Sequence, residues 1–470
     1  MKYALAMLGV ASAFTVILAG CAGDRPDAPA AAALPTLAIW RTSVGRGDDA
    51  SAKWWERFND PQLTRVVEQA LANNVDVALA ASRVEEARAR FRLARAQRFP
   101  DVNFALQGGR EADVSPFGLQ QYQTAGEGEL LAVFDTDLFG RLAQANAAAR
   151  AALLSSQASE ANVRLAVAAS SASAYLSLCE ADGQLQILRD TLKARGESLK
   201  YAQSRSNSGY ATALELKQAE SEYHATEEMI PSTELAISQL EDGLSLLLGN
   251  PPQEIARHGD IQSITLPAVG VGVPSALLRR RPDVASAEQQ LVAADHSLDS
   301  SRAAFMPELE LTASGGFVAS SIIPTPVKVF QLGGSILSPI FDSGRLRANE
   351  DVAIARRDAA AFEYRKVVLG AFREVDDALA AQDKLTEQEK AVIARRDSLA
   401  AALVFATNRY RAGYSSYLEQ IDAERSLLSA NLEVLQIHLQ RLKIAVTLFE
   451  VSGGGYLFDA EHQSIRSLRQ

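Results

Sequence analysis

The sequence is poor in most of the residues that carry chemistry or cross membranes. Two cysteines in 470 residues are too few for a disulfide framework and for most zinc sites. Five histidines (His224, His258, His296, His438 and His462) are scattered without ligand spacing, which points to surface or packing roles. Basic side chains are in deficit, 47 against 57 acidic, giving a net charge of −10. A nucleic-acid binder would want a basic stripe to neutralise phosphates, so that class is excluded. Aromatics make up only 7%, and no apolar run approaches the roughly 18–20 residues that span a bilayer as a helix. A polytopic helical membrane protein is therefore excluded. There is no H-E-x-x-H, no G-x-S-x-G and no P-loop, and Gly270-Val271-Gly272 is an isolated glycine pair in a Pro/Val-rich connector. No catalytic residue, metal or cofactor is expected.

What is present begins with an address. Lys2 precedes an apolar, small-residue stretch from Tyr3 to Leu18, followed by Leu18-Ala19-Gly20-Cys21. A basic start, a short apolar core and small residues before a cut site make a secretory signal over residues 1–20. The four residues ending at Cys21 resemble a bacterial lipobox, in which the cysteine is acylated and becomes the mature N-terminus. Ala22 follows where an aspartate would favour inner-membrane retention, so outer-membrane lipid is the expected anchor. Each buried acyl methylene contributes about 0.8 kcal/mol to such anchoring. Residues from Ala22 to Pro35, rich in Ala, Pro and Asp, read as a tether within an N-terminal and equatorial segment, 21–60. Cys179 falls in a helical pattern and reads as an inert packing residue.

The rest of the chain is written twice. Asp76-Val77 recurs as Asp283-Val284 and Phe134-Asp135 as Phe341-Asp342, at an offset of about 207. Gly140-Arg141-Leu142 recurs as Gly344-Arg345-Leu346, Gly209-Tyr210 as Gly413-Tyr414 and Leu214-Glu215 as Leu418-Glu419, at an offset of about 204. The predicted organisation is a first repeat at 61–260, a connector at 261–281, a second repeat at 282–452 and a tail at 453–470. Each repeat predicts a helix of about 23 residues (Asn74 to Ala96, Asp283 to Ala304) and two strand-like segments. A helix of about 69 residues follows from Gly140 or Gly344, then a glycine-marked turn and a return helix of about 37. At 1.5 Å per residue the long helix spans roughly 100 Å, which predicts a rod. Leu432, Leu435, Leu439, Leu442, Val446 and Phe449 recur three and four apart, a coiled-coil seam. Pro231 lies inside the first return helix and should kink it.

The strand-like segments set the class. Val102, Phe104 and Leu106 alternate with Asn103, Ala105 and Gln107; Leu309, Leu311 and Ala313 alternate with Glu310, Thr312 and Ser314. Thr124 to Phe134 and Val329 to Phe341 supply return strands. Alternating apolar and polar faces suit a transmembrane β-strand of about 9–11 residues. Four strands cannot close a barrel, and open edges are not tolerated in lipid, so several chains must share one.

These features resemble the TolC-like outer-membrane efflux family, and more closely its lipoprotein branch of OprM- and NodT-type channel subunits. The resemblance covers essentially the whole mature chain and rests on Trp54-Trp55-Glu56-Arg57-Phe58-Asn59-Asp60-Pro61-Gln62-Leu63, Leu278-Arg279-Arg280-Arg281-Pro282-Asp283, the lipobox at Cys21 and Gly453-Gly454-Gly455-Tyr456. It implies a mainly α fold with transmembrane β: a long-helix α-barrel plus four strands per chain, completing a twelve-stranded barrel as a homotrimer. It also implies a passive exit duct in the outer membrane, working with a periplasmic adaptor and an inner-membrane resistance-nodulation-division pump. A protein-secretion duct and a non-pore structural lipoprotein are the alternatives.

The turns at Gly209 and Gly413 would lie at the periplasmic mouth. Glu419 and Asp422, three apart on one helix face, could form stacked acidic rings in a trimer. The resemblance makes them a constricting gate, with Glu215 as the first-copy equivalent of Glu419. Tyr410 matches a tyrosine that helps latch the tip closed in a well-studied member. That member has an arginine where this chain has Ser415, so the same latch does not carry over intact.

Overall fold

The computed structural model describes residues 26–34, 39–42, 52–114, 116–257, 260–272 and 274–456. The signal segment, Cys21, His258, His462 and the last part of the tail lie outside them. The described chain forms two compact units, each assembled from both repeats.

The duplication is realised element by element. Helices at Val75–Ala96 and Pro282–Ala303 have 22 residues each, the long helices Arg141–Asn207 and Arg345–Arg411 have 67 each, and the return helices Ala213–Leu247 and Tyr417–Val451 have 35 each. The first return helix runs unbroken across Pro231. Each long helix therefore measures about 100 Å. None of the described helices is long and apolar enough to cross a membrane.

One unit comprises Arg83–Gln157, Ser286–Lys366 and the described residues 26–34. Its centre is an antiparallel sheet of β1 (Asp101–Val114), β2 (Gln120–Asp135), β3 (Glu308–Ser320) and β4 (Val327–Leu337), in that spatial order. β1 and β2 are longer than the alternation alone suggests, and β4 stops at Leu337, two residues before Pro339, which has no N–H for a ladder. The register sorts the side chains. Phe104 lies opposite Leu130, Leu130 opposite Gly315 and Gly315 opposite Phe330; Val102, Ala132, Ala313 and Leu332 make the next row on the same face. The other face carries Asn103, Leu131, Ser314 and Gln331 in one row, with Gln107 donating to Glu127 at 3.0 Å nearby. The apolar face is uncovered: Phe330 is 84% exposed and Leu332 76%. At one end of the sheet, Arg141 pairs with Asp135 and Glu308, each at 2.9 Å, and the Thr136 amide donates to Leu309. The long helices start there, their first amides donating to Asp137 in one copy and Asp342 in the other.

The second unit comprises Pro35–Ser82, Ala158–Ala285 and Val367–Gln470, within the described residues. Its core is aromatic at one end: Trp54 stacks on Phe449 at 5.3 Å between ring centroids, with Phe58 edge-on to both. Asp60 caps the helix Pro61–Asn73 by accepting from the amides of Gln62 and Leu63, and its second oxygen accepts from the Tyr175 hydroxyl at 3.0 Å. Cys179 is buried near this pair, and burial pushes its thiol up to about 12, so it stays protonated packing material. Arg281 bonds Asp283 at 2.6 Å and Glu374 at 2.7 Å. The tryptophan and arginine motifs thus serve as joints.

Farther along this unit, the buried Arg195 meets the buried Glu222 at 3.1 Å, and Arg425 closes on the same carboxylate. Glu424 lies beside them, accepting from Gln420 at 2.7 Å. Burial raises its pKa, against the opposing pull of the Gln420 bond.

Two outcomes follow from this packing. Tyr175→Phe removes a hydrogen bond to a buried carboxylate and should cost about 1.5–3 kcal/mol, read as a lower thermal midpoint of the purified protein, with Tyr175→Trp no substitute. Glu424 has a folded pKa above its unfolded value, so ionised Glu424 costs stability at neutral pH and the cost fades as pH falls toward about 4.5. Glu424→Gln should therefore melt higher than wild type at pH 7.5, with the difference shrinking at pH 5; an unchanged difference would refute the assignment.

Candidate functional site at the helical turns

The candidate site lies where the long helices end. Both turns use one device. Gly209 and Gly413 have φ of +76° and +79°, a region that a side chain disfavours. In each, the following tyrosine amide reaches back five residues, Tyr210 to Arg205 and Tyr414 to Arg409, at 2.8 Å. That pattern closes the last helical carbonyls and reverses the chain. Thr212 then caps the first return helix by accepting from the Glu215 amide.

Around these turns the two copies share one ion pair. Arg205 faces Glu215 at 3.8 Å, and Arg409 faces Glu419 at 3.5 Å. The arginines sit 204 positions apart, as do the glutamates, so the repeat offset already links them, although sequence reading singled out the acids alone. The copies then diverge. Tyr410 is buried and donates its hydroxyl to Glu215, with Arg205 over its ring at 5.1 Å. Tyr201 meets Tyr410 edge-on and Tyr417 packs at 5.2 Å. Burial, followed by the Glu215 carboxylate, holds the Tyr410 phenol well above its ordinary pKa, so it stays a donor.

Glu215 and Tyr410 are thus brought together directly, and Gly209 and Gly413 form the turns beside them. Glu419 and Asp422 are both exposed, three residues apart on the return helix Tyr417–Val451, and are drawn toward different cations: Glu419 to Arg409, Asp422 to the field of Arg425. Ser415 is half-buried in the second turn. The cations that sequence reading missed at this tip are Arg205 and Arg409, which face Glu215 and Glu419 in turn.

Behind the turns lies a groove of about 870 Å³, lined by Arg195, Tyr201, Thr407, Tyr410, Gln420 and Glu424. Among the described residues, no cluster of three or more His, Cys, Asp or Glu side chains is placed to hold a metal. His224 bonds Glu227 at 2.8 Å and His296 bonds Gln144 at 2.7 Å. The arrangement ties the two turns together through the Tyr410–Glu215 bond.

Comparison with known proteins agrees with this architecture. The solvent efflux pump outer membrane protein SrpC of Pseudomonas putida is 32% identical over 458 residues, 94% of this chain and 97% of that protein. The probable outer membrane lipoprotein SilC of Salmonella typhimurium is 31% identical over 470 residues, 97% of this chain and all of that one. The crystal structure of a membrane protein from Pseudomonas aeruginosa superposes with a TM-score of 0.84 at 32% identity, covering 92% of this chain and 99% of that chain. The model of the outer membrane efflux protein family matches residues 66–250 and 273–454, one segment for each repeat, and the chain belongs to that family.

Proposed function

We propose that the chain is one subunit of a homotrimeric exit duct, through which a tripartite pump passes small molecules from the periplasm across the outer membrane. The observation that carries this reading is the four-stranded sheet with one apolar and one polar face. Within the described chain, the outer edges of β1 and β4 pair with no other strand. Unpaired edge groups in hydrocarbon cost several kcal/mol each, and four strands spaced about 4.8 Å apart cannot close on themselves. Three copies, joining β4 of one to β1 of the next, supply twelve strands and leave no edge. Lipid then meets Phe104, Phe330 and Leu332, and water meets Gln107, Glu127 and Gln331. The duct is passive. An inner-membrane resistance-nodulation-division transporter supplies the energy and sets what is exported, and a periplasmic adaptor couples the two.

The helical turns form the periplasmic mouth and its gate. In a three-fold assembly Glu419 and Asp422 make two acidic rings, and the Tyr410–Glu215 bond, with Arg205 against both, holds each closed turn in place. Arg205 and Arg409 take the part that an arginine at position 415 would otherwise play. Docking of the adaptor on the helical hairpins, with the groove beside Tyr201 and Tyr410 as contact surface, releases the turns. Acylation of Cys21 adds a lipid anchor.

Single-channel recording in planar bilayers tests the duct and its gate. Glu419→Ala/Asp422→Ala should raise conductance and weaken cation preference; unchanged values would remove these residues from the gate. Tyr410→Phe deletes one hydrogen bond to a carboxylate, so the open-to-closed ratio should rise roughly tenfold. Intact mass of the purified protein should show acyl chains on Cys21, and a mature N-terminus without them would refute the anchor.

A further inference from the structure

Residues 26–34, in the stretch read as a tether, are fitted against a helix. Arg357, on the second long helix, is 3% exposed, yet it spends its guanidinium on main-chain oxygens of the N-terminal segment. Its Nη1 donates to the Pro26 carbonyl at 2.9 Å and its Nη2 to the Asp27 carbonyl at 3.1 Å, while Nε donates to Asp358 at 2.7 Å. Two helical turns farther on, Arg365 donates to the Ala31 carbonyl. Ala31 sits in the short turn Ala30–Ala32, which buries Ala32. All of these groups belong to the sheet-bearing unit.

The order of the contacts gives a direction. Residue numbers rise together along the strap and along the helix, so Pro26, the first described residue of the strap, lies nearer than Ala31 to the helix start at Arg345 and the sheet end marked by Arg141, Asp135 and Glu308. The distances match. Arg357 lies 12 residues into its helix from Arg345, about 18 Å of helical rise. Cys21 lies five residues before Pro26, and five residues extend at most about 17 Å. Asp295, 4.0 Å from Arg357, gives a second measure: it precedes the helix end at Ala303 by eight residues, about 12 Å, and β3 begins five residues later.

We propose that Arg357 is the clamp that sets the reach of the lipid anchor: by holding the carbonyls of Pro26 and Asp27, it leaves just enough chain for an acylated Cys21 to meet the membrane surface at the ends of the strands. The inference rests on the acylation proposed above. The clamp binds backbone oxygens, so it reads the path of the strap and not its side chains, and the shortness of the free segment converts that path into a fixed depth.

The test places spin labels at Ala30→Cys and Glu363→Cys in the full-length protein in proteoliposomes and measures the distance distribution between them. Cys179 is buried and Cys21 acylated, so labelling is selective. In trimers diluted with unlabelled chains the parent pair should give one narrow peak, and Arg357→Ala should lose it; a peak as narrow as the parent's would overturn the clamp. Deleting residues 23–25 shortens the free segment by about 10 Å. With Cys21 acylated, that deletion should pull the strap off and broaden the peak. The same deletion combined with Cys21→Ser, behind a cleavable, non-lipidating leader, should leave the peak narrow. A narrow peak in the acylated deletion would overturn the ruler while leaving the clamp. Intact mass is recorded on every sample, so absence of acyl chains would identify failure of the anchor itself.

Discussion

The rest of the structure depends on one constraint: a backbone amide or carbonyl in hydrocarbon must find its partner within protein. The sheet of this chain satisfies that rule along its two inner strands and leaves it open along β1 and β4. Its apolar face has no covering element, and the polar face carries carboxylates that lipid would not accept. A sheet of this kind is stable only where one side is wet, the other oily and both edges are completed by copies of itself. On the proposed trimeric reading, oligomerisation is a condition of residence in the membrane. The strands need only alternate, so the whole-chain composition stays close to that of a water-soluble helical protein.

The helices answer a different requirement. Duplication supplies two hairpins of equal length, and each hairpin ends in a glycine turn with an Arg–Glu pair across it. One repeat then adds Tyr410, which reaches over to the Glu215 of the other. The bond joins the two copies where they would otherwise be free to move apart, and it does so with a phenol kept neutral by burial. A buried ion pair, Arg195 with Glu222, stands close behind with Arg425 on the same carboxylate. Breaking such a buried pair costs more than forming it gains, which favours a discrete arrangement of the turn over a graded one.

Much of this was legible in the sequence. Boundaries of the paired helices came within two residues because Gly140, Gly209, Gly344 and Gly413 punctuate long stretches of helix formers, while the helices Pro61–Asn73 and Pro274–Arg280 were not foreseen; strand faces followed from alternation at 102–107 and 309–314. The strand ends were less clear, since Gly108, Gly109, Gly333 and Gly334 interrupt the pattern although their backbones pair normally. Glu215 and Glu419 were singled out, and the cations that face them were not: Arg205 and Arg409 are two among many arginines until the repeat offset is applied to both partners of each pair. Arg357 was invisible in principle. Its partners are main-chain oxygens more than 300 positions away, and carbonyls leave no signature in side-chain chemistry. The stretch read as a tether is, over residues 26–34, a fitted strap.

The equality of the paired helices, 67 with 67 and 35 with 35, also limits how such a chain can change through evolution. Adding a heptad to one long helix alone would carry its turn about 10 Å past the other, and Tyr410 would no longer meet Glu215. Indels in these helices therefore survive only as matched sets, in both repeats and in both limbs of each hairpin. Length behaves as a heritable gauge, altered in concert or not at all, while the loops at 116–119 and 321–326 remain free to drift.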